Sequence, residues 1–181
     1  LSRYDGRRIT NFERSRSYPS ISNLKEVFDG VLAFVDNGVF SAFDLKKERF
    51  LSVVSSSGQG IPSRGMLQRN DSLVWVISGS ELHLMKRCAS KEGELRLRVQ
   101  EKYTGWNNQD NLLVAITYSS DKKSICLIDE KGRIILLDAT NLNSFRVIDL
   151  GRTGSLSVNS VLYDDGRIWI LSLIHISEPT R

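Results

Sequence analysis

The chain has few of the residues that build chemistry into a protein. Among 181 residues there are two cysteines, two histidines and three prolines. Cys88 and Cys126 stand alone, with no Cys-x-x-Cys and no Cys/His spacing, so no metal site is expected. Two thiols fit a reducing or an oxidising compartment equally. No apolar run reaches the roughly 18 residues of a membrane span. No amphipathic stripe of helical length occurs either, which argues against helices. Neither Gly-x-x-x-x-Gly-Lys-Ser/Thr nor Gly-x-Gly-x-x-Gly is present, so no phosphate loop is expected. Leu1 is not an initiating methionine and no signal-peptide pattern follows it, from which we expect the chain to start inside a longer protein.

Charge is mixed. There are 25 Lys and Arg against 21 Asp and Glu, a net charge of +4. The densest basic stretch, Arg3, Arg7, Arg8, Arg14 and Arg16, is interrupted by acids and hydroxyls. It reads as a solvated strand and loop, not as the one-faced basic patch of a nucleic-acid binder. No nucleic-acid partner and no membrane contact are expected of this segment.

What the sequence does contain is a succession of short apolar or alternating runs, separated by clusters of Asp, Asn, Gly and Ser. That is the pattern of many strands joined by tight turns. The runs recur. One copy holds Tyr18–Leu24, Phe28–Val35, Val39–Asp44 and Arg49–Val54. The next holds Ile61–Leu67, Asn70–Ile77, Glu81–Met85 and Glu94–Val99. A third holds Leu112–Thr117, Ser124–Ile128, Arg133–Asp138 and Phe145–Ile148. A fourth begins with Leu156–Leu162 and Asp165–Ile170, and residues 1–12 read as the end of a preceding copy. Pro62 follows Pro19 by 43 positions. Tyr4-Asp5, Phe43-Asp44 and Leu137-Asp138 hold equivalent places before a closing strand. A period of about 40–50 residues with four strands per unit is the sequence signature of a β-propeller. A lone four-stranded sheet cannot bury both of its faces, whereas radially stacked sheets cover one another. The expectation is an all-β fold over 1–170, a partial β-propeller of four-stranded antiparallel blades, with about three full blades and a piece on each side. Asp36-Asn37-Gly38, Lys131-Gly132 and Asp164-Asp165-Gly166 are hairpin turns on this reading, since Asn and Gly accept positive φ.

The last eleven residues break this rhythm. Leu171–Arg181 resembles the translation of a transposase adapter from a sequencing library. We expect no function from residues 171–181, His175 and Pro179 included, and set them aside.

The repeat resembles the two-component regulator propeller repeat. Pro19-Ser20, Pro62-Ser63 and Ser157-Val158-Asn159 match its opening. Asp165-Gly-Arg-Ile-Trp-Ile170 and Leu73-Val-Trp-Val-Ile77 match its core strand. Gly38-Val39, Phe43-Asp44, Tyr4-Asp5 and Phe12 match its close. The third copy departs, lacking both the tryptophan and the Pro-Ser opening. The resemblance implies the extracytoplasmic sensor region of a membrane-anchored hybrid two-component histidine kinase, of the kind typical of gut Bacteroides. It implies a periplasmic location, an oligosaccharide ligand, a dimeric parent and a phosphorelay whose kinase and receiver parts lie elsewhere. The alternatives are a non-catalytic protein-interaction scaffold and, third, a propeller lyase or glycosidase.

Catalysis finds no support in the residues. His83 alternates with Glu81 and Met85 on a strand and has no serine or cysteine nucleophile near it in sequence. No catalytic residue, metal or cofactor is expected. For ligand binding, Thr104–Asp110 is an amide-rich loop around Trp106. An aromatic face with Asn107 and Asn108 beside it has the chemistry to grip a sugar. The competing reading packs Trp106 between blades, and tryptophans of such repeats favour it. Arg64, Arg152 and Tyr18 lie in or beside inter-blade connections, where ligand-facing groups sit. Trp75 and Trp169 are expected in the core. An isolated partial ring is expected to expose apolar blade faces and open edges, and so to aggregate.

Overall fold

A computed structural model of the chain describes residues 1–12, 21–106, 111–151 and 156–172. Among these residues there is no helix. The strands are β1 (Ser2–Tyr4), β2 (Ile9–Asn11), β3 (Ile21–Phe28), β4 (Val31–Asp36), β5 (Val39–Asp44), β6 (Arg49–Ser55), β7 (Gly65–Asn70), β8 (Leu73–Ser78), β9 (Glu81–Cys88), β10 (Glu94–Tyr103), β11 (Leu113–Tyr118), β12 (Ser124–Asp129), β13 (Arg133–Asp138), β14 (Phe145–Asp149), β15 (Val158–Asp164) and β16 (Arg167–Ser172). They form three antiparallel four-stranded blades, β3–β6, β7–β10 and β11–β14, between the two-stranded pieces β1–β2 and β15–β16. The inner strands start at Ile21, Gly65, Leu113 and Val158, so the unit recurs every 44 to 48 residues. The fold is part of a β-propeller.

Local chemistry accounts for the hairpins. In the β4–β5 turn, Asn37 and Gly38 both have positive φ (50° and 78°), and Asp165 and Gly166 do the same between β15 and β16 (45° and 70°). Two consecutive left-handed residues make the turn whose twist matches the strands it joins. Asp36 then pairs with Val39, and Asp164 with Arg167.

The stacking follows from the period of two along each strand. In β8, Val74 and Val76 enter a core shared with the first blade, beside Ala33, Val35 and Leu51. Trp75 and Ile77, one residue along in each case, enter a second core with Ile125, Leu127 and Ile135 of the third blade. In β12, Cys126 and Ile128 face the other way, into a third core with Leu156 and, across it, Ile168 and Ile170. A strand that is apolar at every position is thus serving two cores. Burial pushes the Cys126 thiol up to about 12, which leaves it a small inert hydrophobe. On the outer side of the first blade, Phe34, Phe43 and Phe50 turn toward β1–β2, where Phe12 lies 4.8 Å from Phe43 between ring centroids.

Four features differ from the sequence reading. The first two blades are not separate sheets: their outer strands β6 and β10 pair in parallel, Ser52–Ser55 against Glu94–Leu97, making one eight-stranded sheet. β10 also continues past Val99 to Tyr103, crossing a bulge between Val99 and Glu101. Trp169 is not core. It is 60% exposed, beside exposed Leu162 and Leu171, whereas Trp75 at the equivalent place is 1% exposed. The difference is the neighbour: a third blade covers Trp75, and no described strand lies over that face of β15–β16. Leu171 and Ser172 pair with Ser160 and Val158, so β16 runs two residues into the segment set aside as adapter-derived. Residues 173–181 lie outside the described ones.

Candidate functional site

The four inner strands β3, β7, β11 and β15 lie side by side, β3 against β7, β7 against β11 and β11 against β15. Their leading ends, with the connections that feed them, surround a cavity of about 640 Å³ on the concave side of the stack. Its apolar wall is Ile21, Val35, Val114 and Leu156. Its polar groups are Asn23, Ser63, Arg64, Glu130 and Asn159, with Ser22 and Ser157 beside them. The lining comes from the starts of inner strands and the connections before them, with Val35 and Gly38 added from the β4–β5 hairpin and Glu130 from the β12–β13 turn.

The funnel is rigidly framed. Asn23 sits at a bulge in β3 with φ 53°, a conformation few residues besides Gly, Asn and Asp adopt readily. Its Nδ2 reaches across to the next blade and donates to the Arg64 carbonyl at 2.9 Å. The Ser63 amide donates to the Gly38 carbonyl at 2.8 Å, and the Arg64 amide to the Ile77 carbonyl at 3.1 Å. Ser63 Oγ donates to the Gly65 carbonyl at 3.2 Å. Gly65 leaves little room beside it: a Cβ there would lie 3.2 Å from Ile116 Cγ2 and 3.3 Å from Ile77 Cδ1. The backbone under Arg64 is therefore fixed on several sides, while its side chain is exposed and forms no ion pair among the described residues. Across the funnel, Glu130 is held by its own backbone. Its amide donates to the Leu112 carbonyl at 2.9 Å, and its carbonyl accepts from the Leu156 amide. Next to it, Asp129 is buried, with Arg133 Nε 2.7 Å from its Oδ2 and the Lys131 and Arg133 amides on its Oδ1. That pairing satisfies a carboxylate which would otherwise be costly to bury.

A cavity with an apolar wall, a guanidinium, a carboxylate and two amide side chains has the composition of a small-molecule site. Amides and a carboxylate accept and donate to neighbouring hydroxyls, and a guanidinium donates two parallel bonds. No histidine, cysteine or tyrosine lines the funnel among the described residues. His83 lies elsewhere, on β9, with Nε2 2.6 Å from Glu81 Oε2. That contact holds the Glu81 carboxyl below its usual range.

Of the residues expected to bind ligand, Arg64 is in the funnel. Trp106 is not. It is 5% exposed, in the core between the second and third blades with Leu142, and its ring meets Phe145 edge-on at 6.4 Å. Trp106 is thus packed between blades, as the competing reading has it, with its Nε1 buried and without a hydrogen-bond partner among the described residues. Tyr18, Asn107, Asn108 and Arg152 lie outside the described residues. Asn23, Glu130 and Asn159 were not singled out for binding. Their signal is positional: Asn23 and Asn159 lie near the start of an inner strand, as Arg64 lies just before β7, and Glu130 lies in the β12–β13 turn.

No family model matches the chain, and no curated protein matches it. Solved structures do. The chain is similar to Hsv2 of Kluyveromyces lactis, with a TM-score of 0.53 at 13% identity, covering 90% of this chain and 49% of that one. A second structure of the same yeast protein, with loop 6CD complete, gives 0.50 at 13% identity over 83% and 46%. A third gives 0.52 at 13% over 87% and 47%. The chain spans about half the length of the structures it matches. At this identity the likeness establishes the β-propeller class, a scaffold of radially stacked blades.

Proposed function

We propose that the chain is the ligand-sensing propeller segment of a membrane-anchored hybrid two-component histidine kinase, and that it recognises an oligosaccharide in the funnel at the leading ends of β3, β7, β11 and β15. The observation that carries this reading is the exposed Arg64 side chain on a fixed backbone, facing a funnel that also holds Asn23, Glu130 and Asn159. Neutral polyhydroxyl ligands need such a mixture of donors and acceptors over an apolar wall. The repeat resemblance supplies the sensor role, the periplasmic side of the membrane and the dimeric parent. The ligand would signal only by binding one arrangement of the parent's propellers more tightly than another. The funnel favours that role because adjacent blades contribute to one site, so a bound ligand bears on their relative position.

Calorimetric titration of the chain with a panel of plant and host oligosaccharides tests the proposal. At least one sugar should give saturable heat, and Arg64→Ala should weaken it about tenfold or more, the equivalent of one lost charge-assisted hydrogen bond. No heat with any sugar from a folded sample, or heat indifferent to Arg64→Ala and Asn159→Ala alike, would refute it.

A further inference from the structure

The opposite end of the same inner strands holds a second cavity that the funnel does not involve. β7 and β11 leave the funnel and end at Asn70 and Tyr118. Between these ends, with Lys122 of the β11–β12 hairpin and Thr140 of the β13–β14 turn, lies a cavity of about 420 Å³. Its charged groups are both cations, Arg69 and Lys122, and its neutral polar groups are Gln68, Asn70, Tyr118 and Thr140. Arg69 Cζ stands 5.1 Å from the centroid of the Trp75 ring, a cation–π contact that orients the guanidinium without using its N–H groups. Lys122 is held in the left-handed region at φ 57°, its amide donating to the Ser119 carbonyl at 2.8 Å. Neither Arg69 nor Lys122 forms an ion pair among the described residues.

The neutral groups point the same way. Trp75 Nε1 donates to the Tyr118 hydroxyl oxygen at 3.0 Å. That oxygen is the acceptor, so the hydroxyl hydrogen is left to give, and no described residue takes it. Asn70 Oδ1 accepts from the Ser72 and Leu73 amides and from Ser72 Oγ. What Asn70 has left is its Nδ2 donor. No carboxylate lines the cavity. Of the acids in the adjoining turns, Asp71 is exposed, and Asp121 and Asp138 are engaged within their own turns. Asp121 Oδ1 accepts from Ser119 Oγ and the Lys123 amide. Asp138 Oδ1 accepts from Thr140 Oγ1 and from the Thr140 and Asn141 amides.

We propose that this cavity between the second and third blades binds a sulfate or phosphate group, free or carried as an ester, through Arg69, Tyr118, Lys122 and Asn70. The donors come from two strand ends and a hairpin and so approach from different sides. That arrangement suits a tetrahedral anion with three or four oxygens better than a planar carboxylate, which one arginine fork would satisfy. The site is independent of the funnel and stands or falls without it.

The test is a nuclear magnetic resonance titration of the full chain with sodium sulfate, sodium phosphate and glucose 6-sulfate, at ionic strength held constant with chloride to keep screening fixed. Saturable shifts are expected at the Arg69, Tyr118 and Lys122 amides and the Trp75 indole. Arg69→Gln and Lys122→Asn should each weaken binding about tenfold, and Tyr118→Phe less, as expected for charged and neutral hydrogen bonds respectively. Asn is chosen at 122 because it tolerates the left-handed backbone. Glucose 6-sulfate binding at least as tightly as sulfate would assign the site to an esterified group, and binding of the inorganic ions alone would assign it to the free anion. Either result supports the proposal. Non-saturating shifts in the unmodified chain, or equal affinity in Lys122→Asn, overturn it. Lys122 is exposed on a hairpin, so that comparison survives even if Arg69→Gln disturbs Trp75.

Discussion

Individual residues in this chain matter where two blades meet. Gly65 is the sharpest case: its missing side chain is what lets β7 approach Ile116 of the next blade. Gly65→Ala would overpack that junction, at an expected cost of about 1–3 kcal/mol. In urea denaturation the midpoint should fall with the slope unchanged. Glu81 is a different kind of contributor. Its carboxyl is depressed chiefly by the hydrogen bond with His83, with Lys102 adding to the effect. A carboxyl depressed in the folded state adds stability above its unfolded value of 4.5 and loses it as pH falls through the folded value. The melting-temperature advantage of the natural chain over Glu81→Gln should therefore hold at pH 7 and shrink below about pH 4.5. Melts at a series of pH values check this. Residue by residue, identities at the turns and in the strands were legible because their rules are local. Asn37-Gly38 and Asp165-Gly166 announce positive φ wherever they stand. Trp106 was not decidable from its loop, because the same ring serves a sugar or a core and only the position of β13–β14 settles which. Asn23 was silent, since a bulge leaves no mark in a strand's composition.

At the scale of elements, β3 to β16 each lie on a run that could be read in advance, with ends shifted by a few residues, whereas β1 and β2 fall in a stretch legible only as the end of a preceding copy. The runs were visible because period-two burial on two faces makes nearly continuous apolar segments such as Leu73–Ile77. The parallel join of β6 and β10 was invisible, because pairing between strands some forty residues apart depends on tertiary placement. That join has a kinetic consequence. Both β10 and β14 are the outermost strands of their blades, yet Leu95 and Leu97 of β10 are buried against the first blade, while β14 presents Phe145 and Val147 largely to solvent. Amides of Glu94–Leu97 should exchange hydrogen markedly more slowly than those of Phe145–Asp149 in native-state exchange, since an edge strand held from one side opens more readily. Equal rates in the two strands would mean that β6 and β10 do not pair in solution.

For the whole molecule, the governing fact is that each blade is one sheet thick and relies on its neighbours. The second and third blades are covered on both sides, and their middle strands β8 and β12 bury Val74, Trp75, Val76, Ile77, Ile125, Cys126, Leu127 and Ile128 completely. The outer pieces are covered on one side only: Tyr4 and Ile9 at one end, and Leu162, Trp169 and Leu171 at the other, are exposed. The apolar faces expected of a partial ring are thus present. The funnel belongs to this scale too. It was legible only as a set of inter-blade connections, of which Arg64 was one. Its full composition needs four copies brought together, and no single stretch of sequence contains it.

The radial stack makes one demand that no barrel or sandwich shares: neighbouring residues on one strand must touch different blades. Methyl and indole nuclear Overhauser measurements on β8 read this directly. Val74 and Val76 should show contacts to Ala33 and Val35 of the first blade, and Trp75 and Ile77 to Ile125 and Leu127 of the third. If all four residues report the same partner strands, or if no contacts cross between blades, the propeller account and the site built on it are wrong.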